Sequence, residues 1–200
     1  MILTNWGYVL VDAEKLPDLL SKEEFNQFTA NKYDGDIRMI PEIASAESAV
    51  RNYVGWHLAG PEKCRFEADS LDVSHIIQLP ARYVSDVESV TVGGIVLDPN
   101  DYQFKTNGLL RINHRVCERG WNDIVVEYKA GLPESLQDAV KELIMHRVTH
   151  ALANSYGIQS ESSGGVSITY TANWSNSTRA TYLPDDNKEV LTPYRLQGVY

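Results

Sequence analysis

His146 and His150 stand four residues apart. On a helix that spacing puts both imidazoles on one face, within reach of a single metal ion. Hydrolytic zinc helices place a glutamate directly after the first histidine, and here Arg147 takes that place. Glu142 lies one turn away, but no third ligand joins them. Two surface histidines on a helix explain the pair as well, so a metal-dependent hydrolase is a third reading that zinc analysis would revive. His57, beside Trp56, reads as a helix end where a cationic imidazole suits the dipole. Ser162, Ser163, Gly164 and Gly165 have the small size of a phosphate cradle, but no Lys-Ser/Thr pair opening a helix follows them. Cys64 and Cys117 form neither a CxxC motif nor a zinc spacing, and read as reduced, partly buried thiols. GxSxG and GxGxxG are absent. The expectation is a protein with no catalytic residue, no cofactor and no metal, and not an enzyme.

Aromatic residues in polar surroundings are more informative. Tyr170, Trp174 and Tyr182 punctuate a stretch rich in Ser, Thr, Gly and Asn, and Leu191, Pro193, Tyr194, Arg195 and Leu196 close the chain's last ordered-looking segment. Local packing is one explanation. Anchoring a partner is the other, because aromatics and arginine dominate interface hot spots. These eight residues are the expected partner-binding set, facing a neighbouring subunit or another protein. Removing residues 184–200 is then expected to leave a folded chain that cannot assemble.

The chain has 18 Lys and Arg against 27 Asp and Glu, for a net charge of −9. Broad phosphate contact needs a basic surplus, so tight nonspecific nucleic-acid binding is excluded. With 43% hydrophobic and 22% charged residues it reads as a globular protein with its own core. No run approaches the ~20 apolar residues of a membrane span, and the start lacks an export leader, so synthesis in the cytoplasm is expected.

The elements that must carry these residues read as α+β. Residues 1–61 read as helical. Asp12 would cap a short helix interrupted by Pro17, and Ser21 with Glu24 forms a capping box. The helix it opens should bury Phe25 and Phe28 and end near Gly35. A longer helix should run from Pro41 to Leu58, with Ile43, Ala46, Val50, Tyr53 and Val54 as its apolar stripe. Residues 62–131 read as an inserted small antiparallel sheet or sandwich, with strands at 64–68, 75–78, 87–92, 95–97, 102–104, 109–111 and 124–129. Gly93-Gly94 is a hairpin turn. Residues 132–158 hold a long central helix that should pack with 1–61, striped by Leu136, Ala139, Val140, Leu143, Ile144, Val148, Ala151 and Leu152. Residues 159–200 read as a flexible loop or β-ribbon, best strand 166–171, then a short helix capped by Asp185 or Asp186, forming an extended C-terminal arm. The fold is thus two short N-terminal helices and two longer packed helices around an inserted sheet.

Several strings in this order resemble the head–tail connector family of tailed phages, the head completion or adaptor proteins. They are Glu24-Phe25, residues 30–33, the segment 43–61 containing SAVRNYVGWH, the VTVGG string at 90–94, Asp101-Tyr102, VEYKAG at 126–131, Leu132-Pro133 before a long helix, and the L-x-P-Y-R close at 191–195. The resemblance implies a homo-oligomeric ring, commonly a dodecamer, beneath the portal protein in the virion. It would meet a downstream tail-completion or stopper protein and let DNA pass without specific binding or contact with a membrane. The stretch 159–184 departs from the pattern. The alternative is a virion-surface or baseplate binding module whose β region recognises a glycan or receptor through Tyr102, Trp121 and Tyr128.

Overall fold

The structure, a computed structural model, describes residues 1–69, 76–112, 123–153, 160–163, 166–169 and 183–196. In chain order the strands and helices are β1 (Ile2–Leu3), β2 (Tyr8–Leu10), α1 (Lys22–Phe28), α2 (Met39–Val54), β3 (Glu62–Ala68), β4 (Ile76–Gln78), β5 (Val84–Val92), β6 (Ile95–Val96), β7 (Tyr102–Phe104), β8 (Leu109–Ile112), β9 (Ile124–Ala130), α3 (Glu134–Ala153), β10 (Ser160–Ser163), β11 (Val166–Thr169) and α4 (Asp185–Leu191). The fold is α+β with antiparallel sheets. It divides into two compact units.

One unit comprises the described parts of Met1–Pro17, Val54–Gln137 and Tyr194–Tyr200. It holds a six-stranded sheet in the order β1-β2-β3-β9-β5-β6 and a three-stranded sheet in the order β4-β8-β7. Every pairing is antiparallel. Strand β9 lies at the centre because its inward set, Ile124, Val126, Tyr128 and Ala130, is buried while Val125, Glu127 and Lys129 face outward. Cys64 pairs with Tyr128 on one side, and Val90 pairs with Val126 on the other. Gly93 and Gly94 adopt φ 54° and 77°, the two positive values a primed turn needs, and pair Val92 with Ile95 as the sequence suggests. Gly131 leaves β9 so close to residue 60 that an added Cβ would lie 2.2 Å from the Gly60 carbonyl oxygen. That approach lets Leu132 N–H reach the Ala59 carbonyl at 2.7 Å.

The N-terminal residues correct one expectation. No helix follows Asp12; instead β1 and β2 extend the sheet, with Tyr8 opposite Phe66 and Leu10 opposite Cys64. The sheet therefore draws on residues before α1 as well as on the 62–131 stretch.

The second unit comprises the described parts of Asp18–Tyr53 and Asp138–Pro193. The expected capping box opens α1: Ser21 Oγ accepts from Glu24 N–H at 3.2 Å, and Glu24 Oε2 accepts from Ser21 N–H at 2.8 Å. The helix stops at Phe28, well before Gly35. Phe25 is buried, but Phe28 is exposed at the last turn and meets the His146 ring edge-on. The stripe of α2 is buried at Ile43, Ala46, Val50 and Val54, and α2 ends at Val54 rather than 58. On α3 the buried set includes Val140, Leu143, Ile144, Val148, Ala151 and Leu152, while Ala139 is exposed. β10 and β11 form a two-stranded ribbon within the stretch read as loop or ribbon. Pro184, not an aspartate, occupies the cap position of α4, and Asp185 and Asp186 fall in its first turn where the dipole favours them.

Candidate interaction surfaces

The C-terminal tip, the expected docking element, has a seat in its own chain. The buried Trp56 donates its indole N–H to the Tyr194 carbonyl at 2.8 Å. Arg82 donates to the Arg195 carbonyl at 3.0 Å, and Leu196 N–H reaches the Val54 carbonyl at 2.8 Å. The Tyr83 ring stacks on Trp56 at 6.3 Å and tilts against Tyr194 at 6.5 Å. Tyr83 and Leu58 both hold φ at 58°, a region bulky residues avoid at a cost of order 1–3 kcal/mol. Packing and these hydrogen bonds offset that strain.

Leu191 and Tyr194 are buried, Leu196 is half-buried, and Pro193 and Arg195 are exposed. Two residues of the expected partner-binding set, Leu191 and Tyr194, are thus covered within their own chain. The idea that residues 184–200 can be removed without harm to the fold falls with that, since Leu191 is fully covered and Trp56 depends on Tyr194. Tyr170, Trp174 and Tyr182 lie outside the described residues.

His57 serves a different purpose from the one its sequence position suggests. It is fully buried beyond the end of α2 and bridges three segments. Its Nε2 lies 3.0 Å from the Ala130 carbonyl, which can only accept, so the ring proton is assigned to Nε2. Nδ1 then accepts from the Tyr8 hydroxyl at 2.7 Å, and that hydroxyl accepts the His57 backbone N–H at 3.0 Å. The ring thus joins the segment after α2 to β2 and to the end of β9 rather than only closing a helix end.

Glu47 is a second buried clamp that sequence reading missed. Its Oε1 accepts from Leu19 N–H at 2.7 Å and Leu20 N–H at 2.9 Å, and Oε2 lies 3.3 Å from Arg51. Burial pushes the carboxyl above its ordinary value, although the backbone N–H groups and Arg51 pull it down. Arg147 is also buried, on the apolar face of α3.

The outward face of β3, β9 and β5 is covered by ion pairs. Lys63 reaches Glu88 at 2.8 Å and Glu127 at 3.6 Å, and Lys129 reaches Glu88 at 3.2 Å. Hydrogen bonding to Glu88 holds the Lys63 ammonium above its usual value. Tyr128 and Tyr102 are buried and offer no open ring face to a sugar, and Trp121 lies outside the described residues. His146 is exposed and 3.6 Å from Glu142, while burial, with help from Arg147, holds His150 below its ordinary value. Among the described residues no three potential metal ligands cluster. Cys64 is a buried free thiol pushed up to about 12 by desolvation, which makes it unreactive. Among the described residues no helix is long and apolar enough to cross a membrane.

These features describe a protein whose buried polar groups hold its own segments in place. The head completion protein family model matches residues 18–196. The chain belongs to the head completion protein family, as the resemblance in its sequence implied. Two solved structures share its fold at low identity. A chain in the neck of an empty gene transfer agent (GTA) particle, computed with C6 symmetry, has TM-score 0.58 and 12% identity over 96% of this chain and 97% of its own. A chain from the virion of a native GTA particle has TM-score 0.57 and 14% identity over the same shares. No curated protein matches the chain.

Proposed function

We propose that this chain is a structural subunit of a connector ring at the head–tail interface of a virion, joining portal to tail without catalysis. Family membership over residues 18–196, which span nearly all of both units, is the observation that carries the reading. The shared fold of a neck protein in a gene transfer agent particle agrees with it. A ring of sister chains, twelve as the family resemblance implies, would extend the DNA channel, with the portal on one side and a stopper protein on the other. The excess of acidic groups suits a wall past which DNA slides, because like charge prevents adhesion. Pro193 and Arg195, exposed beside a tail already anchored by its backbone, are the tip residues that remain for partner contact. Tyr170, Trp174 and Tyr182 keep the same proposed role.

The test is assembly in the absence of this chain. Expected are DNA-containing heads that carry no tails and leak their genome, with joining restored by the purified protein. Tailed, infectious particles formed without it would overturn the reading.

A further inference from the structure

Among the described residues the six-stranded sheet ends in two uncovered edges of the same kind. β1 and β6 are each two residues long, and neither carries a charge. Leu3 on β1 is 77% exposed, and Ile95 and Val96 on β6 are 71% and 66% exposed. Beyond their shortness, neither strand carries the lysine or proline with which proteins ordinarily blunt such edges, whose free N–H and C=O groups recruit further strands. Among the described residues nothing pairs with the outer side of either strand.

Strand parity says what would fit. All pairings are antiparallel and the strand number is even, so β1 and β6 run in opposite directions. A second copy placed alongside, same face up, would set its β1 against β6 as another antiparallel pair. The three-stranded sheet cannot do this: its outer strands β4 and β7 run the same way, so the same placement would give a parallel join. Pairing β6 with β6 is disfavoured by charge. Asp98 follows that strand closely, and Asp123 holds the Gly93 turn through its carbonyl, so two acidic ends would meet.

We infer that β6 of one chain pairs antiparallel with β1 of the next, so that a second copy of this protein is the partner of both edges. Such a contact is head-to-tail, the type that closes into a ring when the rotation allows. The inference deepens the ring reading and rests on it for the preference over a symmetric dimer.

The test uses the full chain with Leu3→Lys, which blocks β1, and Ile95→Lys, which blocks β6. Circular dichroism checks folding, and Leu3→Ser and Ile95→Ser replace the lysines should either unfold. In light scattering the wild type is expected to gain mass with concentration, and each variant alone to stay monomeric. An equimolar mixture should return to twice the single-chain mass and stop there, since each variant keeps one working edge. A single variant that still dimerises, a mixture that stays monomeric, or a wild type that never associates overturns the inference. Leu3→Lys chains that still complete tailed particles would sink the edge contact while leaving the connector role standing.

Discussion

In the sheet-bearing unit, Tyr8 and His57 tie β2, the segment after α2 and the end of β9 together through a phenol and an imidazole. In the helical unit, Glu47 ties the backbone ahead of α1 to α2 through a carboxylate set beside Arg51. Both devices hold a loop by its main chain, and both sit away from water. They differ in what they risk. A circuit of hydrogen bonds with no carboxylate in it loses one or two hydrogen bonds when it is cut. A buried ion pair carries a desolvation penalty that its partner offsets, so losing one member leaves a charge inside. Assembly proteins must hold shape before their partners arrive, and this chain does so in two electrostatically different ways.

The largest expected effect follows from that difference. Glu47→Ala should cost about 3–5 kcal/mol, because the Arg51 guanidinium stays buried without its carboxylate and Leu19 and Leu20 lose their acceptor. Urea unfolding measures it. The double variant Glu47→Ala, Arg51→Ala should lose less than the two single losses added together. Equal, additive losses would show that the pair is not coupled and would dissolve the contrast. Tyr8→Phe comes next, at about 1–3 kcal/mol, since it removes the donor to His57 Nδ1 and the acceptor of its N–H. Trp56→Phe should fall in the same range of about 1–3 kcal/mol by stranding the Tyr194 carbonyl. It should also speed proteolytic clipping of the tail, whereas Tyr8→Phe should not.

Much of the scaffold was legible because its signals are local. The alternation along β9, the paired glycines after Val92 and the Ser21–Glu24 box each decide their own conformation within a few residues. What escaped depends on distant partners. β1 and β2 are two and three residues long, too short for a period; β2 becomes a strand through pairing to β3 more than fifty residues on, and β1 through pairing to β2. Glu47 lies on the stripe of α2, but a charged residue in a sequence reads as surface until the N–H groups of Leu19 and Leu20 are seen to meet it. The seat of the tip joins residues 56 and 194, a separation of 138 that no pattern announces. The sequence singles out the tip as a segment needing cover; that its own chain covers Leu191 and Tyr194 follows only from the fold.

The smallest expected effects are in pH dependence, and they have opposite signs. Burial raises the Glu47 carboxyl, so its contribution to stability is complete below the ordinary carboxylate value and is lost as pH rises through the folded value. The stability of the wild type relative to Glu47→Gln should therefore fall with rising pH across that window. Burial also pushes Glu24 upward, but hydrogen bonds from Lys141 and Ser21, with the Lys141 charge, hold it below its ordinary value. Its contribution is present above the ordinary value and is lost as pH falls through the folded one, so the wild type should gain on Glu24→Gln as pH rises. Tyr8→Phe removes no carboxylate, and its difference from the wild type should be flat over the same window. Thermal unfolding of the four proteins at matched ionic strength reads all three slopes. A flat Glu47→Gln difference would mean that water reaches the clamp and that the helical unit guards its loop no differently from the sheet.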